Sequence, residues 1–213
     1  NEFISTTSHE LRTPLTAIIG ALSLLDNEAL GPVPANMKEL IKLAYNNSET
    51  LKSLINDLLD MDKLLSGHIQ LTLEAHPAHS LVKQAADELS PYADKFSVTV
   101  TVEGSDRPEV MVDALRFQQI LTNLLSNAIK FSGPHTTVTI HISQVDGFAR
   151  ITITDQGPGI NRQFQPRLFT RFAQEDSSNT RNPGGTGLGL AISKALVEQM
   201  QGRIGILPAK PRG

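Results

Sequence analysis

The chain has no cysteine among its 213 residues. That excludes disulfides and thiolate metal sites, and it fits a reducing compartment. No apolar run approaches the ~18 residues that a bilayer-spanning helix needs. No signal peptide opens the sequence. An excess of either charge is missing too: 19 Lys+Arg against 22 Asp+Glu leave a net charge of −3. Nucleic-acid binding favours clustered basic surface, and nothing in this balance suggests it. What is present is 39% apolar residues, enough for a real core. The length suits one large domain or two small ones. The first residue is Asn1, and a helical pattern is already running there, so the chain reads as a fragment of something longer.

Two regions differ in period. Up to about residue 66 the pattern is helical. Leu11, Leu15, Ile18, Leu22 and Leu25 recur at alternating steps of four and three, the rhythm of a supercoiled bundle. Gly31, Pro32 and Pro34 break the helix. A second helix carries Met37, Ile41, Ala44, Leu51, Ile55, Leu58 and Leu65, widened by Leu40, Leu54, Met61 and Leu64, and stops at Ser66-Gly67. One hairpin cannot bury so wide a stripe, whereas two can, as a four-helix bundle. The pattern therefore predicts a homodimer through residues 1–66.

From Ile69 the pattern mixes strands with helices. Ile69, Leu71 and Leu73 alternate as in a strand. A helix is predicted over 78–95 with a bend near Pro91, strands over 97–103 and 110–113, and a helix over 114–131 capped by Asp113. Two strands, 137–144 and 148–154, flank the turn signal Asp146-Gly147. Residues 161–185 show little regular pattern. A last helix is predicted over 186–201, with a final strand starting near Arg203. This order indicates an α+β sandwich over 69–213.

Four clusters carry chemistry. The first is Ser8-His9-Glu10-Leu11-Arg12-Thr13-Pro14-Leu15. With Leu11 and Leu15 on the seam, His9 faces solvent, where an imidazole nitrogen can act as a nucleophile. Glu10 can fix its tautomer and raise its basicity, given suitable rotamers. Thr13 lies one turn on, on the same face. Pro14 removes a helix hydrogen bond and should bend the chain there. The second cluster spans Asn123 to Phe131. Asn123, Asn127 and Lys130 share one helix face; amide oxygens suit Mg²⁺ and an ammonium suits phosphate. The third, Asp155-Gln156-Gly157-Pro158-Gly159, follows a strand. Its carboxylate can accept from an exocyclic amine such as that of adenine, and its glycines let backbone approach a ligand. The fourth, Gly184-Gly185-Thr186-Gly187-Leu188-Gly189-Leu190, opens the last helix and can aim bare N–H groups at an anion. It is neither a Walker A loop nor a Rossmann fingerprint. Each cluster alone also has an ordinary reading as exposed histidine, amphipathic helix or tight turn.

The ordered set resembles the sensor histidine kinases. The octapeptide resembles the H-box of their dimerisation and phosphotransfer domain, and the other three resemble the N, G1 and G2 boxes of their ATP-binding domain. Leu168-Phe169-Thr170-Arg171-Phe172 resembles the F box at the start of the ATP lid. The resemblance implies a dimeric four-helix bundle followed by an α/β sandwich ATP-binding domain, and Mg-ATP-dependent phosphorylation of His9, helped by Glu10. It implies transfer to an aspartate of a response-regulator receiver, with Thr13 supporting dephosphorylation of that partner. It assigns Asn127 to Mg²⁺ with Asn123 beside it, Lys130 to phosphate, and Asp155 to the adenine amino group. Gly157 and Gly159 would shape the base pocket, Gly185, Gly187 and Gly189 would face the phosphates, and Arg171 and Arg181 are lid candidates. His68, His76, His79, His135 and His141 lie in no such context and read as surface or loop residues. A cytoplasmic location for this piece, within a protein anchored in a bacterial inner membrane, is also implied. Two other classes remain open: a non-enzymatic dimerisation module of kinase-like fold, and an ATPase clamp of the topoisomerase, mismatch-repair or chaperone type.

Overall fold

Helix α1 (Glu2–Asp26) and helix α2 (Ala35–Leu65) form a hairpin across the Pro- and Gly-bearing turn. In the computed structural model the described residues are 2–29, 31–67, 69–104, 107–174 and 186–207, and the side chains of 2–10 and of Leu65 lie outside that description. The described residues fall into two compact units, one drawn from Asn1–Ile69 and Gly184–Leu188, the other from Gln70–Pro183 and Gly189–Gly213.

In the first unit Leu15, Ile55 and Leu59 are buried together, with Ile19 packed against them. Arg12 Nη2 donates to Asn56 Oδ1 at 3.0 Å across the two helices. Pro14 lies inside α1 without ending it. At the turn Glu28 takes a positive φ and pairs with Lys38. Ser66 closes α2, and Gly67, at φ +69°, carries the chain out of the helical path. Much of the predicted seam is uncovered within one chain. Leu11 and Ile18 are each 49% exposed, and Leu25, Leu40, Leu51 and Leu58 are exposed as well. In the same unit Thr186 Oγ1 donates to Asp57 Oδ2 at 2.8 Å. Burial pushes the Asp57 carboxyl up; the Thr186 hydroxyl opposes the shift and the neighbouring Asp60 charge adds to it.

The second unit holds a mixed sheet ordered β2 (Thr99–Glu103), β4 (Thr137–Val145), β5 (Phe148–Thr154). β2 runs parallel to β4, and β4 antiparallel to β5 through Asp146 and Gly147, both at positive φ. Val138, Ile140 and Ile142 alternate inward along β4 and are buried. Against that face pack α3 (Ala78–Glu88) and α5 (Ala114–Phe131), through Val82, Ala85, Leu121, Leu125 and Ile129. A separate antiparallel pair joins β1 (Glu74–Pro77) to β3 (Glu109–Val112). Helix α6 (Gly189–Gln199) packs beside α5.

Four expectations shift. The strand predicted from Ile69 begins only at Glu74. Its partner β3 ends at Val112, because Asp113 turns to cap α5, and Asp113 Oδ2 then takes the Thr72 N–H at 3.1 Å in place of a ladder bond. The helix predicted over 78–95 is two helices: α3 ends at Glu88 and α4 spans Ser90–Lys95, since Pro91 has no N–H to continue the first. The last helix starts at Gly189, not Thr186, because Gly187 at φ +69° is left-handed. It ends at Gln199: Gln201 takes a positive φ and Gly202 N donates to Val197 O at 2.8 Å, a Schellman closure. Among the described residues no strand follows Arg203.

Candidate functional site

Helix α5 sets the core of the site. Asp113 caps it by accepting from Arg116 N at 3.0 Å. Burial would raise this carboxyl; the N–H groups of Arg116 and Thr72, the Arg116 charge and the Leu115 N–H together hold it below the usual carboxylate range. Leu121, Leu125 and Ala128 bury the inner face, so Asn123, Asn127 and Lys130 fall on the other side, as the spacing predicts. Asn127 Nδ2 donates to Asn123 Oδ1 at 3.4 Å, and Asn123 Nδ2 donates to Ser193 Oγ of α6 at 2.8 Å. Among the described residues no donor reaches Asn127 Oδ1. The half-buried Lys130 ammonium stands 5.3 Å from the centre of the Phe131 ring, and burial pushes its pKa down. Desolvation disfavours that charge, so an anion beside it gains.

The turn after β5 is held by its own carboxylate. Gly157 N donates to Asp155 Oδ1 at 2.8 Å. This turn lies against the end of α5, where a Cβ on Gly157 would stand 2.6 Å from Phe131 O. Gly159 takes φ +80° with open space around its Cα. Gly189 packs onto Asn123 with no room for a Cβ, its nearest neighbour being Asn123 Oδ1. Further along, a short 3₁₀ turn at Gln165–Arg167 leads to Thr170, whose hydroxyl donates to Arg167 O at 2.7 Å. Arg171 and Phe172 are exposed.

The structure thus brings Asn123, Asn127 and Gly189 together and joins Asp155 to Gly157. His9 and Glu10 lie on the backbone of α1, but their side chains fall outside the described residues, as do Arg181, Gly185 and His68. Thr13 is exposed on α1. Of the remaining histidines, His135 and His141 are exposed, whereas His76 and His79 are half-buried in β1 and α3. Sequence reasoning missed Ser193 and the Phe131 carbonyl. Ser193 carried one faint signal, its i+4 spacing from Gly189, which places it on the glycine face of α6. Among the described residues no cluster of three or more His, Cys, Asp or Glu could hold a metal; a side-chain amide oxygen is a hard donor of the kind that suits Mg²⁺. Asn127 Oδ1 fits that role. No helix among the described residues is long and apolar enough to cross a membrane.

Residues 1–67 match the family model described as the His Kinase A (phospho-acceptor) domain, and residues 112–213 match that of the Histidine kinase-, DNA gyrase B-, and HSP90-like ATPase. The chain is 39% identical over 208 residues to the circadian input-output histidine kinase CikA of Synechococcus elongatus, covering 96% of this chain and 28% of that protein. It is 39% identical over 212 residues to the sensor histidine kinase GacS of Pseudomonas protegens, covering 97% and 23%. The chain therefore spans about a quarter of the length of these curated relatives. Among solved structures, full-length ShkA in complex with AMPPNP superposes with a TM-score of 0.78 at 32% identity, covering 96% of this chain and 42% of that one. The mycobacterial sensor histidine kinase MprB gives 0.56 at 30% identity, covering 67% and 89%.

Proposed function

Because the chain belongs to the sensor histidine kinases, we propose that it binds Mg-ATP and phosphorylates its own His9. The observation that carries the nucleotide half is the Asn127 amide. It is held by its nitrogen, and its oxygen accepts from no described donor. Asn127 Oδ1 would hold Mg²⁺, with Asn123 beside it. The metal, when bound, neutralises charge on the phosphates. Lys130 contacts phosphate, and the loss of water around its ammonium strengthens that contact. Asp155 is pinned through Oδ1 by the Gly157 N–H, so Oδ2 is the oxygen that accepts from the adenine amine. Gly157 and Gly159 form the wall of the base pocket. The family resemblance assigns Gly185, Gly187 and Gly189 to the phosphates and Arg171 and Arg181 to the lid.

Transfer itself needs position more than covalent help. A ring nitrogen of His9 attacks the γ-phosphorus. The N–P bond forms as the bond from phosphorus to the β,γ-bridging oxygen breaks, and ADP departs with that electron pair. Glu10 accepts the proton of the other ring nitrogen in a hydrogen bond and so raises the basicity of the attacking one. The phosphoryl group then passes to a carboxylate of a receiver domain, and Thr13 orients water for its later removal there. Residues 1–66 dimerise, which covers the exposed leucines of α1 and α2; residues 69–213 form the ATP-binding domain. The piece lies in the cytoplasm, within a protein anchored in the bacterial inner membrane.

The test is incubation with γ-labelled ATP and Mg²⁺. Label on the protein that acid removes and alkali does not is expected, as a phosphoramidate requires. Release of free phosphate without protein label would point to an ATPase clamp instead, and neither product to a non-enzymatic module.

A further inference from the structure

We propose that Ser193, in the middle of α6, is a positioning residue for the metal-binding amide. It acts through Asn123 to set which way Asn127 faces. The inference rests on the nucleotide reading above and adds to it a residue from a second helix.

An asparagine side chain ends in a donor and an acceptor of nearly equal size. Left alone, the amide of Asn127 can turn either end outward. Only the oxygen is useful to a cation; the other orientation presents N–H groups and repels it. Something must therefore choose. The structure supplies a directional chain. Ser193 Oγ accepts from Asn123 Nδ2 at 2.8 Å, which turns Asn123 Oδ1 toward Asn127. Asn123 Oδ1 accepts from Asn127 Nδ2 at 3.4 Å, and Asn127 Oδ1 is left with no described donor. With Ser193 Oγ as the acceptor, Asn123 Oδ1 is the end left to face Asn127. The first link is also the shorter and is anchored in the interior: Ser193 is 2% exposed and belongs to a helix whose Ala191, Ile192 and Leu196 are buried.

The packing supports the same assignment. Gly189, one turn before Ser193, leaves no space for a Cβ because Asn123 Oδ1 occupies it. Asn123 is thus confined by backbone on one side and hydrogen-bonded on two others. A buried serine is a costly choice where alanine would fill the space, unless its oxygen is used. Here it is used by Asn123. Gly189 and Ser193 both belong to α6, so the Asn123 amide of α5 is held from that one helix.

The experiment measures ATP affinity of the full chain with Mg²⁺ and with EDTA, for the parent, Ser193→Ala, Asn123→Ala, the double variant and Asn127→Ala. Ser193→Ala is expected to cut the Mg²⁺-dependent gain in affinity by about tenfold, the worth of one such hydrogen bond, while leaving the affinity in EDTA within about twofold. In the Asn123→Ala background it should add nothing, since the path to Asn127 is already cut. Ser193→Cys, similar in size but a poor acceptor, is expected to show the same loss and replaces the alanine variant should that one fail to fold. If Asn127→Ala loses the Mg²⁺ gain while Ser193→Ala and Ser193→Cys keep it, the relay is wrong and the nucleotide reading stands. Equal losses in Mg²⁺ and in EDTA would make Ser193 a packing residue only and overturn the proposal. A Mg²⁺ gain that survives Asn127→Ala overturns the metal assignment and the relay with it.

Discussion

The carbonyl oxygen of Phe131 closes on Gly157 so tightly that a Cβ there would stand 2.6 Å from it and 2.9 Å from Asp155 Oδ1. One of these contacts is backbone at the end of α5 and cannot swing away. Gly157→Ala must therefore displace the turn that fixes Asp155. We expect ATP affinity to fall by at least about tenfold, since the carboxylate loses both its pinning N–H and its place. Gly205→Ala, with nothing near its Cα and no positive φ, should bind ATP as the parent does. Titration by calorimetry compares the two; equal affinities would remove Gly157 from the base pocket.

Asp113 caps α5 and also takes the Thr72 N–H. Asp113→Ala should cost about 1 kcal/mol of stability at neutral pH. The sign with pH follows from its lowered carboxyl. The stabilisation is present above the ordinary value of 3.8 and is lost as pH falls through the lower folded value. Urea midpoints of parent and variant should converge in acid. A gap that widens there would contradict the assigned direction.

The fold was legible where one local signal decided the outcome. Asp113 followed by an amphipathic run defined α5, and Asp146-Gly147 defined the β4–β5 turn. It was illegible where a partner decided. Ile69, Leu71 and Leu73 alternate like a strand, yet the partner strand ends where Asp113 turns into its cap. In the candidate site, the shared helix face of Asn123, Asn127 and Lys130 could be read from spacing, while the roles of these residues, Asp155 and the glycines rested on the resemblance. Ser193 could not, because a serine within a helix becomes informative only when another helix brings an amide to it.

Leu51 and Leu58 are 48% and 42% exposed on α2. If a second hairpin covers them, Leu58→Glu should shift the parent dimer toward monomer. Each leucine uncovered forfeits about 2 kcal/mol, and twofold symmetry doubles the loss. Sedimentation equilibrium at micromolar concentration decides this; a parent that is already monomeric would refute the bundle.

Thr13 is exposed on α1, one turn beyond His9. Thr13→Ala should leave His9 phosphorylation within about twofold and change stability by less than about 0.5 kcal/mol, yet slow dephosphorylation of a receiver several-fold. Both rates are to be measured on one preparation. A parallel fall in the two would make Thr13 a structural lead-in to Pro14.

Arrival of phosphate from ATP on His9 is tested most directly by the site and amount of label in His9→Gln beside the parent, with ATP affinity measured on the same samples. Acid-labile phosphate mapped to His9 is expected in the parent and none in the variant, with the variant's ATP affinity within about twofold of the parent, because the nucleotide residues lie elsewhere in the sequence. Label persisting in His9→Gln at the parent level, or mapped to another side chain, would contradict that expectation.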